Sequence, residues 1–253
     1  MALCLLLCSA CGAEEIALRP DAPVLPADFA SIEPALVDDR TEPNIQRFAD
    51  PYAIENRYDV PSSMFSRRSG VDYGTLDSDV AYYSEIAGDN KKVNVLLPAG
   101  YDETKVYPVM YVVHEFGGSH SDHVGQNTYL RRLYGNMLHE GLTVPMILVG
   151  VEMYTDKASE KGGKSREQLR YIYDKVIDEI RSDLMPFIEA NYPVSTEREY
   201  TAVGGISEGG AKSLCIGFKW LDEFGWIGSF APDPAEILRI IFIWPSARMM
   251  RGT

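Results

Sequence analysis

The sequence is poor in positive charge and has no long apolar segment. It contains 24 lysine and arginine residues against 37 aspartate and glutamate residues, which gives a net charge of -13 and a pI near 4.8. Nucleic acids and anionic lipid surfaces repel a protein of this charge, so neither is expected as a partner. No apolar run reaches the ~18 residues that a membrane-spanning helix needs. With 253 residues, 45% of them hydrophobic, the chain predicts one large globular domain.

Cysteine is also scarce, and its distribution excludes a disulfide framework. The four cysteines are Cys4, Cys8, Cys11 and Cys215. The apolar run at residues 2–8, followed by Ser9-Ala10-Cys11, resembles the end of a bacterial lipoprotein signal peptide, although no basic residues precede it. We therefore predict a signal peptide at residues 1–12 with lipid attached to Cys11, in a secreted, periplasmic or outer-surface protein. A plain signal peptide is the alternative, and a lipid anchor would be the expected contact with a membrane.

Beyond residue 12 the chain changes from a proline-containing acidic segment to alternating strand and helix signals. Residues 13–60 are expected to form a tether and an irregular lead-in. Strands are predicted at residues 93–97, 109–113, 146–151, 200–204, 226–230 and 238–243, and helices at 128–138, at 166–190 with a kink near Pro186, and from 208 onward. This alternation predicts a three-layer α/β domain with a mostly parallel sheet over residues 61–253.

The string Gly205-Ile206-Ser207-Glu208-Gly209 matches G-x-S-x-G and lies between a predicted strand and a predicted helix. A sharp strand-to-helix turn strains the serine, and only small residues two positions away on either side avoid a clash. The start of the helix supplies backbone N–H groups beside the serine. We predict that Ser207 is a nucleophile and that the N–H of Glu208 stabilises the oxyanion of a tetrahedral intermediate. A glycine-rich loop with an incidental serine is the alternative.

A second motif, at residues 114–118, directly follows a buried strand. Hydrolases with a strand–serine–helix turn carry an H-G-G-G-like loop at this position, and it donates the other oxyanion N–H. Phe116 is the predicted donor and Glu115 is the alternative, because spacing does not separate them. His114 is expected to orient this loop rather than to act as a base.

Together these motifs resemble those of the feruloyl and acetyl-xylan esterases of the first carbohydrate-esterase family, within the α/β-hydrolase fold. The resemblance covers roughly residues 70–243 and is carried by residues 95–102, 107–114, 183–189 and 204–210. It implies hydrolysis of ferulate or acetate esters on plant cell-wall polysaccharide without a cofactor. An ester-substituted polysaccharide or oligosaccharide is therefore the expected partner, in the context of xylan degradation.

Histidine is missing from the part of the sequence where this fold supplies its base. The four histidines are His114, His120, His123 and His139, and all of them precede Ser207. Enzymes of this fold place the acid and then the histidine after the serine, which is a poor nucleophile without a base. His120 and His123 lie in a loop near the expected site. We interpret them as solvated loop residues, and the alternative is that one of them serves as a substitute base. A metal site made from His114, His120 and His123 is not expected, because no carboxylate or thiolate falls at ligand spacing.

The last ten residues, 244–253, break the strand pattern at the point where the acid is expected. If both arginines of this segment are encoded by AGR codons, back-translation read one base earlier gives an apolar strand end and a G-K-D-D-E-G-like turn, so we hypothesise that a frameshift after about Ile243 removed the acid and the histidine. The domain would then be incomplete at its C-terminus. Asp233 and Glu236 precede the last predicted strand and are interpreted as surface residues.

Two functional classes follow from these observations. The first is a secreted serine esterase whose recorded chain is incomplete. The second is a natural, shortened relative that keeps the esterase fold and binds carbohydrate without catalysing hydrolysis. The intact serine turn favours the enzyme, because a strained turn is costly to keep when it is unused.

Overall fold

A computed structural model describes residues 60–233. The predictions for the signal peptide, for Cys11, for the tether, for Glu236 and for the strand at residues 238–243 lie outside the described residues. Within residues 60–233, no helix is long and apolar enough to cross a membrane.

Six strands form one mixed sheet. They are β1 (Thr75–Ser84), β2 (Asp89–Leu97), β3 (Val109–Val113), β4 (Ile147–Val151), β5 (Thr201–Ile206) and β6 (Trp226–Phe230). Their order in the sheet is β1-β2-β4-β3-β5-β6. The pairs β1–β2 and β2–β4 are antiparallel, whereas β4–β3, β3–β5 and β5–β6 are parallel. The predicted α/β fold with a mostly parallel sheet is confirmed.

Strand β1 was not predicted from the sequence pattern. Its first half is polar and largely exposed, and the register with β2 shifts between Asp77 and Val80. A bulge of this kind breaks the two-residue alternation that identifies a half-buried strand. Asp79 lies in the bulge with a φ of 54°, and its N–H donates to Oδ1 of Asn94 on β2.

Helices α1 (Tyr129–His139) and α2 (Arg166–Asp174) each begin at a capping side chain. Helix α1 is capped by the hydroxyl of Thr128, and α2 by a reciprocal capping box between Ser165 and Gln168. The predicted long helix is instead divided into α2, the short α3 (Val176–Glu179), a π turn (Ile180–Leu184) and α4 (Met185–Asn191).

The break at α4 agrees with the predicted kink near Pro186. The irregular part of the helix also includes the π turn before it. Pro186 has no N–H to bond the carbonyl of Ser182 four residues earlier, so regular α-helical hydrogen bonding cannot pass through this point. The π turn widens the helix just before the proline.

Both faces of the sheet are covered by helices, which gives the three layers. On one face, Tyr134 of α1 packs on Leu96, Val112 and Leu148. On the other face, a larger apolar cluster joins the strands to α2, α3, α4 and to α5 (Glu208–Lys219). The parallel strands therefore end together at one edge of the sheet, and the loops that follow β3, β4, β5 and β6 meet there.

Candidate active site

Ser207 occupies the turn between β5 and α5 in a strained conformation. Its φ is 56° and its ψ is -121°, a region that residues with a side chain rarely adopt. The N–H of Ser207 donates to the carbonyl of Phe230 at 3.0 Å, and its carbonyl accepts the N–H of Asp233 at 3.2 Å. The end of β6 therefore holds the backbone of the serine on both sides.

The two glycines of the motif are required by space. A Cβ on Gly205 would lie 2.6 Å from the carbonyl oxygen of Val113 and from the backbone of Gly209. A Cβ on Gly209 would lie 2.3 Å from the carbonyl oxygens of Val113 and His114. Real Cβ atoms do not approach this closely, so the requirement for small residues that the motif predicted is confirmed.

The same close contact brings the start of α5 against the end of β3. Because Val113 pairs with Gly205, the loop after β3 and the serine turn leave the sheet side by side. Among residues 60–233, no atom accepts a hydrogen bond from the N–H of Phe116. Glu208 is the first residue of α5, and the N–H of a first helical residue has no hydrogen-bond acceptor within its own helix.

The Phe116 side chain is fixed at the surface of this edge. Its ring lies 5.5 Å from that of Tyr173 on α2, and the Arg166 guanidinium lies 4.3 Å from its centroid. The ring of Phe116 is therefore held against α2.

His114 is buried beneath this loop, with both ring nitrogens in use. The N–H of Met153 donates to Nε2 at 3.0 Å, which leaves the ring proton on Nδ1, 2.7 Å from the carbonyl of Glu115. These two hydrogen bonds join the loop after β3 to the segment after β4. They give His114 the structural role that its position predicts, and they leave no ring nitrogen for a proton from Ser207.

The two loop histidines have separate carboxylate partners. His123 Nε2 lies 2.8 Å from Oε2 of Glu115, and the pair is partly exposed. His120 lies between Oδ1 of Asp79 at 3.1 Å and Oε2 of Glu152 at 3.7 Å. The structure therefore does not bring His114, His120 and His123 together, and within residues 60–233 no group of three potential ligands could hold a metal ion.

Electrostatics couple His120 to Glu152. The neighbouring carboxylate of Glu152, and then that of Asp79, raises the pKa of His120 despite its partial burial. Burial alone would raise the pKa of Glu152, but the neighbouring imidazole of His120 and the N–H of Tyr154 lower it well below its usual range. A protonated His120 thus links the loop that carries Phe116 to β1 and to the segment after β4.

This link predicts a pH-dependent stability. Because the pKa of His120 is raised by folding, its contribution to the free energy of unfolding is complete below the unfolded pKa of about 6.5. The contribution is lost as pH rises through the folded pKa. We expect His120→Gln to lower the melting temperature by about 2–4 °C at pH 5.5 and by much less at pH 9. Thermal melts followed by circular dichroism would show it, and an equal loss at both pH values would contradict it.

A buried ionic cluster surrounds the serine turn, and nothing in the sequence pattern indicated it. Lys212, one helical turn beyond Glu208, lies 3.1 Å from Oε1 of Glu208 and 2.7 Å from Oδ1 of Asp174. Arg170 lies 3.8 Å from Oε2 of Glu208 and 3.2 Å from Oδ2 of Asp233. The interpretation of Asp233 as a surface residue is wrong, because this half-buried side chain pairs with Arg170 and its backbone binds Ser207.

Comparison with known proteins agrees with this geometry. The model of the putative esterase family matches residues 84–244, well over half of the chain. A CE1 ferulic acid esterase from Anaeromyces mucronatus has 34% sequence identity and a TM-score of 0.64, over 69% of this chain and 64% of that one. Endo-1,4-beta-xylanase Y of Acetivibrio thermocellus is 25% identical over 197 residues, which are 68% of this chain and 17% of the xylanase. Esterase Rv1288 of Mycobacterium tuberculosis is 29% identical over 67% of this chain and 35% of that protein. The chain thus spans less than two thirds of each of these relatives.

The sheet order, the strained serine turn and the helices on both faces define an α/β hydrolase. The chain belongs to the putative esterase family, and it resembles the CE1 esterases within that family.

Proposed function

We propose that this protein hydrolyses feruloyl or acetyl esters of plant cell-wall polysaccharide, with Ser207 as the nucleophile. The observation that carries the proposal is the conformation of Ser207, whose φ of 56° is maintained by the packing of Gly205 and Gly209 against β3. Strain of this kind persists only where the surrounding structure imposes it, and it concentrates at functional sites.

The N–H groups of Phe116 and Glu208 would form the oxyanion hole. Attack of Ser207 Oγ on the ester carbonyl moves negative charge onto the carbonyl oxygen, and fixed N–H donors stabilise that charge without reorganising. Loss of the alcohol leaves the acyl group on Ser207, and water then releases the acid. The buried position of Glu208 and the contact of Phe116 with α2 hold both donors still.

A general base must accept the proton of Ser207 Oγ, and His114 is not that base. Both of its ring nitrogens are bonded to backbone groups. His123 and His120 are the loop candidates, and His120 has a carboxylate near each ring nitrogen. The other candidate is a histidine encoded downstream in a shifted reading frame.

The proposed substrate class follows from two relatives. The Anaeromyces mucronatus protein is a ferulic acid esterase whose structure has been determined with ferulic acid, and the Acetivibrio thermocellus protein is a xylanase. Both names point to plant cell-wall polysaccharide and its ferulate esters.

Hydrolysis of methyl ferulate and of p-nitrophenyl acetate tests the proposal. We would assay the chain of 253 residues beside a version that carries the shifted downstream frame, and would include His120→Gln and His123→Gln in both. We expect hydrolysis of both esters by the version with the downstream frame, unaffected by the His123 substitution. Activity of the 253-residue chain that disappears with His123→Gln or His120→Gln would instead assign the base to the loop. Absence of hydrolysis in all versions, with ferulate still bound, would favour a non-catalytic carbohydrate-binding protein.

We also propose that the protein is exported and carries lipid on Cys11. The apolar run at residues 2–8 and the small residues before Cys11 support this proposal. Mass spectrometry of the mature N-terminal peptide would show a diacylated cysteine, and an unmodified Cys11 within an uncleaved chain would contradict it.

A further inference from the structure

Two carboxylates lie beside Ser207. Glu208 follows it directly, and its side chain is 1% exposed. The N–H of Asp233 donates to the carbonyl of Ser207, and its half-buried carboxylate lies at the same edge of the sheet. An oxyanion formed on the carbonyl oxygen of an ester that Ser207 attacks would therefore develop near two negative charges, and a buried negative charge weakens the binding of another.

Among residues 60–233, Arg170 reaches both of these carboxylates. Arg170 projects from α2 and lies 3.8 Å from Oε2 of Glu208 and 3.2 Å from Oδ2 of Asp233. Lys212 also contacts Glu208, but it is fully buried and is shared with Asp174 on α2. Arg170 therefore shares the neutralisation of Glu208 with Lys212, and it also neutralises Asp233.

We propose that Arg170 is a positioning residue for the ester hydrolysis, which neutralises Glu208 and Asp233 so that an anion can bind beside Ser207. The inference rests on the proposed function. Arg170 does not contact the substrate. It acts through Glu208, whose backbone N–H is the proposed oxyanion donor, and through Asp233, whose backbone holds Ser207.

The side chain of Arg170 has a geometry suited to this role. Its planar guanidinium can bond two carboxylates at once, and it stays charged in a partly buried site. A lysine at the same position would keep the charge but could not span both partners equally well, so Arg170→Lys should retain part of the function.

The test compares an anion with its neutral ester. Dissociation constants of ferulate and methyl ferulate would be measured by calorimetry in a Ser207→Ala background, where the ester is not consumed and no base is needed. We expect Arg170→Gln to weaken ferulate binding about tenfold and to leave methyl ferulate binding unchanged. Arg170→Lys should lose less. Glu208→Gln combined with Arg170→Gln should restore part of the ferulate affinity, because it removes one of the two charges that Arg170 neutralised.

Arg181→Gln is the matched control. Arg181 is also an ion-paired arginine, bonded to Glu223 at 2.7 Å and packed on Trp220, and it belongs to the π turn. The Arg181→Gln protein should bind ferulate and methyl ferulate with the dissociation constants of the parent. An equal loss of ferulate and methyl ferulate in Arg170→Gln, or no rescue by Glu208→Gln, would assign Arg170 a purely structural role and overturn the inference. If the parent binds neither ligand, the proposed function fails and the inference fails with it.

Discussion

Ser207→Ala is expected to reduce the hydrolysis of methyl ferulate by about 10⁴-fold or more, as removal of the nucleophile does in other serine hydrolases. The substitution removes Oγ, the atom that would bond to the acyl group, and leaves both proposed N–H donors in place. The backbone hydrogen bonds of residue 207 to Phe230 and Asp233 do not involve the side chain, so the fold should be retained. Initial rates of the version that is active in the ester assay would measure the loss.

Ser119→Ala is the control for this result. Ser119 belongs to the loop after β3, and its hydroxyl donates to Asp122 rather than to any group of the serine turn. The Ser119→Ala protein should hydrolyse methyl ferulate at the rate of the parent. If Ser207→Ala also keeps that rate, the nucleophile is another residue and the proposed mechanism is wrong.

Gly209→Ala is expected to cost about 3 kcal/mol of stability, because overpacking of this severity is among the larger effects of single substitutions. The new methyl group would lie 2.3 Å from the carbonyl oxygens of Val113 and His114. Neither oxygen can retreat, since both belong to the backbone at the end of the central strand β3. Either α5 must move away from β3 or the serine turn must open. Both movements separate Glu208 from Phe116, so activity should fall together with the melting temperature.

The matched control is Gly162→Ala. A Cβ on Gly162 meets no atom within 4 Å, and its φ does not require glycine. The melting temperature of the Gly162→Ala protein should stay within about 1 °C of the parent value, since surface substitutions of this kind have small effects. A Gly209→Ala protein as stable and active as the parent would show that the packing between α5 and β3 is looser than the structure describes.

The sequence predicted elements whose signals are local. The runs at 109–113 and 146–151 are apolar throughout, and both form central strands with a covered face on each side. The helix predicted at 128–138 is found as α1, and the structure shows that the side chain of Thr128 caps it. Strand β1 escaped prediction because the bulge at Asp77 to Val80 interrupts its alternation, and the polar side chains there bond to residues of other elements.

The candidate site likewise combines a local motif, which could be predicted, with contacts between distant residues, which could not. Ser207 and its glycines form a local motif, so this motif together with the strand before it and the helix after it was enough to predict the turn. The charges that surround it come from residues 170, 174, 208, 212 and 233, and no spacing rule connects α2 to the end of β6. Asp233 appeared to be a surface residue for this reason, since its partner lies 63 positions earlier in the chain.

The backbone hydrogen bonds between Ser207 and the β6 end also bear on how the molecule opens. The amide of Ser207 is held by Phe230, and its carbonyl is held by the amide of Asp233. The strained turn therefore cannot relax alone, and it must release when β6 separates from β5. The serine turn and β6 should behave as one cooperative unit in hydrogen exchange, with the amides of Ser207 and Asp233 exchanging at a common rate that is set by the opening of that side of the sheet.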